Sequence, residues 1–145
     1  MWDNQANDFG DGTISKLFNA LPAGVSVANP VFSKNSPNIV AFDYTFDDGL
    51  IEEHSIFAAN IETGKMNRIA SNDREGFPSF STNDDQIAYS SVNSFNMQVV
   101  KAMKLKSDKI TPVGEAGVLV PDAKWPVYFA KGNRTLGLAP IANFT

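Results

Sequence analysis

Apolar residues along this chain come in short continuous runs, not at helical spacing. "IVAF" (residues 39–42), "IAY" (87–89) and "VYF" (127–129) are bounded by polar clusters such as "SKNSPN" and "STNDDQ". Runs this short and this unbroken predict strands buried on both faces. The Asn, Asp and Ser residues between them supply turn chemistry. No stretch of the chain asks for a helix.

The runs sit inside a repeat. "NPVFSKNSPNIVAF" (residues 29–42) is matched by "FPSFSTNDDQIAY" (77–89), so that Pro30, Phe32, Ser33, Asn35, Val40, Ala41 and Phe42 answer Pro78, Phe80, Ser81, Asn83, Ile87, Ala88 and Tyr89, with one extra residue in the first turn. A weaker copy can be laid on "GVLVPDAKWPVYF", with Gly117 in the Pro place and Val127 and Tyr128 at the close. The starts at 30, 78 and 117 lie 48 and 39 residues apart, within the roughly 40–50 residues of a propeller blade. "IFAANIETGKMNRI" (56–69) lies over "VKAMKLKSDKITPV" (100–113) without a gap, each with a polar turn in the middle as a hairpin needs. "DGTISKL" (11–17) matches the second half of that block. The predicted fold is all-β, a partial β-propeller of four-stranded antiparallel blades. Residues 11–28 form a trailing strand, 29–76 and 77–116 two full blades, and 117–145 a partial blade.

Pro-x-Phe-Ser-x-Asn-x-x-x-Ile-Ala-Tyr (Pro78 to Tyr89) followed by a hairpin of the 56–70 kind resembles the blade repeat of TolB-like β-propellers. It is also similar to blades in the accessory propellers of prolyl-oligopeptidase-type hydrolases. The family's Ser-Pro-Asp-Gly turn reads here Ser33-Lys34-Asn35-Ser36 and Ser81-Thr82-Asn83-Asp84; only Pro121-Asp122 keeps the Pro-Asp pair. The resemblance implies a non-catalytic scaffold binding a protein or small ligand through its loops. It also implies a periplasmic or other extracytoplasmic setting, with partners of the Tol-Pal kind. The alternative it carries is a fragment of an accessory propeller whose hydrolase or lyase residues lie outside this chain. Fewer blades than the four to eight that close a ring imply exposed strand edges and self-association through them.

Composition narrows the function. With 145 residues and 43% hydrophobic, the chain can bury one proper core. A net charge of -4, with cations scattered apart from "KAMKLK" (101–106), argues against nucleic acid. That run reads as the solvated face of a strand. The absence of cysteine excludes disulfides, thiolate metal sites and a Cys nucleophile, and fits either a periplasmic or a cytoplasmic home. No apolar run reaches membrane-span length.

Candidate chemistry is sparse. His54 is the only histidine, and no Gly-x-Ser-x-Gly elbow is present, so no enzyme activity, metal or cofactor is expected. Asp47-Asp48-Gly49 could contribute oxygens to a calcium ion but reads as a turn. Asp47, Asp48, Glu53 and His54 are the candidate binding residues on the loop face. Adjacent strand residues point apart, which keeps Glu53 and His54 from converging. Trp125 is expected to pack under the last blade, the alternative being an exposed edge where a partner docks.

Overall fold

The computed structural model describes residues 20–128. They form eight strands: β1 (Val25–Phe32), β2 (Ile39–Asp47), β3 (Glu52–Asn60), β4 (Met66–Asn72), β5 (Ser79–Phe80), β6 (Gln86–Val92), β7 (Gln98–Leu105) and β8 (Pro112–Pro121). These make two four-stranded antiparallel meanders, β1-β2-β3-β4 and β5-β6-β7-β8. The described residues contain no helix, and so none long and apolar enough to cross a membrane. The strand expected at residues 11–17 lies outside the described residues.

The unbroken runs are buried on both faces, as their composition requires. Ile39 and Ala41 of β2 face the second sheet. They join Ile56, Ala58 and Ile69 against Phe80, Ile87, Tyr89, Met103, Leu105 and Ile110. Alternation sends Val40 and Phe42 to the opposite face, where they cluster with Ala59, Val27 and Phe57. Small Ala41 and Ala58 oppose large Phe80, Ile87 and Tyr89, which lets the two sheets interdigitate at interior density. The repeat position held by Phe32 and Phe80 shows what a neighbouring sheet contributes. Phe80 is fully covered beside the first sheet. Phe32, which has no preceding sheet among the described residues, is 37% exposed. Complete burial of such a side chain contributes about 1.5–3 kcal/mol.

Three differences from the sequence reading concern unit boundaries. β1 begins at Val25, so residues 25–28 pair with β2 and belong to the first sheet, not to a trailing strand. β8 runs through residue 117, with Gly117 opposite Ala102 and Val118 opposite Lys101, and so completes the second sheet. The structural counterpart of Pro30 and Pro78 is therefore Pro126, not Gly117. The residue before each of these prolines has a positive φ: Asn29 at 50°, Phe77 at 51° and Trp125 at 55°. The steps 30 to 78 and 78 to 126 are equal, at 48 residues each.

A positive φ is uncommon for a large side chain and persists where its surroundings hold it. Here the same link does so twice. Asp43, one residue past Phe42, accepts hydrogen bonds from Gly76 N (2.7 Å) and Phe77 N (3.0 Å). Ser90, one residue past Tyr89, accepts from Trp125 N through its Oγ (2.6 Å). Each link ties one unit to the start of the next.

The turns segregate to two ends. Residues 48–51 and 93–97, the linker 73–78 and residues 122–125 lie at one end, called upper. The turns at 33–38, 61–65, 81–85 and 106–111 lie at the lower end. Side-chain bonds keep the two sheets level. Near the top, Asn72 Nδ2 donates to Ser90 O (2.8 Å), and near the bottom Asn67 Nδ2 donates to Ile110 O (3.0 Å).

Candidate functional site

The upper end gathers exposed chemistry on fixed turns. In the β2–β3 hairpin Asp47 Oδ1 accepts from Gly49 N (2.7 Å), and Asp48 Oδ1 from both Leu50 N and Ile51 N (2.9 Å each). The N–H groups of Ile51 and then Leu50 hold the Asp48 carboxyl below its ordinary range. Gly49, at φ +86°, supplies the left-handed step the turn needs. Both carboxylates are thus committed to turn geometry.

The turn lifts Leu50 and Ile51 into solvent, 92% and 56% exposed. The second sheet repeats the arrangement. Asn93 Oδ1 accepts from Phe95 N (2.9 Å) and Met97 N (3.0 Å), Asn96 takes the positive φ, and Phe95 and Met97 stand 79% and 56% exposed. Four large apolar side chains therefore crown two rigid hairpins at one end of the molecule.

His54 lies one turn below the first tip, on β3. Its Nδ1 is 3.0 Å from Thr45 Oγ1 across the strand pair, and its Nε2 is 3.1 Å from Glu52 Oε1. Glu52 shares the face because it is two residues away; Glu53, the immediate neighbour, projects from the other face and is exposed. The four residues singled out in the sequence do not converge. Asp47 and Asp48 shape the turn, His54 is engaged by Thr45 and Glu52, and Glu53 stands apart. Among the described residues no group of three His, Cys, Asp or Glu side chains is placed to hold a metal ion.

Two shallow clefts flank the second hairpin and share Gln98. One, of about 160 Å³, is lined by Phe77, Trp125, Ser90, Ser91, Arg74 and Lys124. The other, of about 430 Å³, lies among Met97, Val99, Pro121 and Asp122. Trp125 is 58% exposed, not packed beneath a sheet. Its ring meets Phe77 edge-on at 6.1 Å, and Lys124 Nζ lies 4.3 Å from its centroid. Its recurrence with Phe77 was open to sequence reasoning, since Phe77-Pro78 and Trp125-Pro126 are both aromatic-proline steps 48 residues apart.

The lower end is structural. Asp84, read from the sequence as an ordinary turn residue, is only 1% exposed and reaches into the first sheet's turn. It accepts hydrogen bonds from Ser33 Oγ (2.8 Å), Lys34 N (2.8 Å), Asn35 N (2.9 Å) and Asn35 Nδ2 (2.7 Å), and lies 3.1 Å from Lys109 Nζ. Nothing local in the sequence signals it, because its partners lie 25 to 51 residues away. No protein-family model, curated protein or solved structure matches this chain.

Proposed function

We propose that the chain is a segment of a β-propeller in which each four-stranded sheet is a blade, and that it acts as a non-catalytic scaffold binding a protein or small ligand at its upper end. The blade reading is supported by the equal 48-residue steps between the positive-φ residue and proline pairs at 29–30, 77–78 and 125–126, a length that suits propeller repeats. The binding reading is carried by one observation: Leu50, Ile51, Phe95 and Met97 are exposed on turns whose backbone is already fixed by Asx hydrogen bonds. Exposed apolar groups on pre-ordered loops lose little conformational entropy on docking, and concentrated apolar surface on a soluble domain marks interaction sites. The engagement of both His54 ring nitrogens supports a structural part for the one imidazole available.

Two measurements test this reading. A panel of ester, peptide and glycoside substrates is expected to show no turnover with the natural chain; turnover lost in His54→Ala would overturn the non-catalytic part. Capture from a cell extract is compared between the natural chain and a Leu50→Ser, Phe95→Ser variant of unchanged circular dichroism. A protein retained by the first and lost by the second is the expected result.

A further inference from the structure

The charge around the apolar tips is lopsided. The first hairpin carries Asp47, Asp48, Glu52 and Glu53, all exposed, with no Lys or Arg between residues 35 and 64. Asp73 and Asp122 add two exposed carboxylates where the chain leaves β4 and β8. Against these the upper end sets Arg74, next in sequence to Glu75, and Lys124, whose ammonium rests on the Trp125 ring. Cations collect instead at the lower end, where Lys34, Lys65, Lys106 and Lys109 lie in or beside the turns. Seven exposed carboxylates, counting Glu75, thus share one end of the molecule with four exposed apolar side chains on two fixed hairpins.

We infer that the upper end docks a cationic amphipathic segment of a partner protein, its apolar side chains seated on Leu50, Ile51, Phe95 and Met97 and its Lys or Arg side chains meeting the carboxylates beside the first hairpin. This rests on the binding reading above and narrows it to one partner chemistry. Apolar contact supplies the affinity and the acidic collar supplies selectivity, since a segment bearing like charge meets repulsion on approach. The cleft beside Met97, with Asp122 on its border and Val99 and Pro121 as walls, extends the same combination along the second hairpin. A nucleic acid or an anionic lipid surface carries the wrong charge for this collar.

The test is calorimetric titration of the full chain with two short amphipathic peptides of equal length and apolar content, one built on Lys and Leu and one on Glu and Leu. Expected is saturable binding of the Lys peptide alone. It should weaken about ten-fold in Leu50→Ser, Phe95→Ser, and also in Glu52→Gln, Glu53→Gln, and fall with added salt. Unchanged thermal unfolding of both variants separates loss of binding from loss of fold. Lys-peptide binding that ignores the tip substitutions would be long-range attraction to an acidic protein and would overturn the inference. Tip-dependent binding of the Glu peptide would overturn it while leaving the scaffold reading intact. Tip-dependent association with zwitterionic lipid vesicles, without any peptide preference, would assign the tips to a membrane surface and overturn it as well.

Discussion

Asp84 shows how much one carboxylate can hold when it is buried with its donors. Burial by itself would raise its pKa, but the Lys34 N–H, the Asn35 amide, the Ser33 hydroxyl and Lys109 outweigh that and hold it below 3.8. Its φ of +58° suits Asp or Asn, so Asp84→Asn removes the charge without adding backbone strain. That substitution should cost about 2 kcal/mol, through lost charge-assisted bonds and unpaired donors. It would be read as a lower urea midpoint at constant slope. A depressed folded-state pKa contributes stability in full above the unfolded value and loses it as pH falls through the folded one. The gap between the natural chain and Asp84→Asn should therefore close below pH 3.8. Tyr89 carries the opposite sign. Burial pushes its phenol from 10.0 up to about 12, so its contribution is complete below pH 10.0 and is lost as pH rises toward about 12. Tyr89→Phe should flatten the alkaline limb of the stability profile, as followed by phenolate absorbance and circular dichroism together.

At the scale of elements, the strands were legible in the sequence and their ends were not. The runs at 39–42 and 87–89 announce β2 and β6, because only a strand covered on both faces tolerates four or three successive apolar residues. The hairpin alignment of 56–69 with 100–113 holds for β3 over β7, but the turn before β8 is one residue longer than the turn before β4, so buried Ile69 has exposed Val113 as its gapless counterpart. The last unit boundary was set by likeness of apolar runs, and Gly117-Val118-Leu119-Val120 looks like the start of a strand as much as the end of one. What fixes the boundary is the positive-φ step before proline and the side chain that grips it, and neither follows from hydrophobic pattern. The candidate residues fared similarly: Asp48 was legible as a turn former, whereas the pairing of His54 with Glu52 depends on strand phase. The tightest point of the unit junction is Gly76. A Cβ built there would stand 2.5 Å from Ile56 Cδ1 and 3.1 Å from Tyr89 Cβ. Ile56 can swing its terminal methyl, but Tyr89 Cβ is anchored to β6. Gly76→Ala should therefore force the linker off Asp43 and cost about 2 kcal/mol by overpacking. A fall in thermal midpoint checks it, and Ile56→Val in the same chain should recover only part of the loss.

Across the described residues as a whole, the two sheets cover each other on one face each, and strand β8 stands at an edge. Its solvent side is unusually apolar for an edge, with Val113, Val118, Leu119 and Val120 between 44% and 56% exposed. Natural edges are blunted by charge, proline or irregular backbone. β8 uses all three: an exposed Glu115, prolines at both ends, and an irregular backbone with a positive φ of 71° at Gly114 and register shifts along its pairing with β7. Those devices protect its first half better than residues 118–120, which carry no charge and have no strand partner on their outer side among the described residues. Burial of apolar surface at about 25 cal/mol per Å² favours pairing there even over a small area, and addition of a strand to an open edge is a standard route to association. The chain should therefore associate with rising concentration through residues 118–120, and Leu119→Lys, which puts a charge in the middle of that stretch, should suppress it with little change in unfolding midpoint. Light scattering across a concentration series reads the result. Equal association of Leu119→Lys and the natural chain would move the contact away from β8, and a strict monomer at the highest concentration would mean that the irregular first half of the strand guards the whole edge.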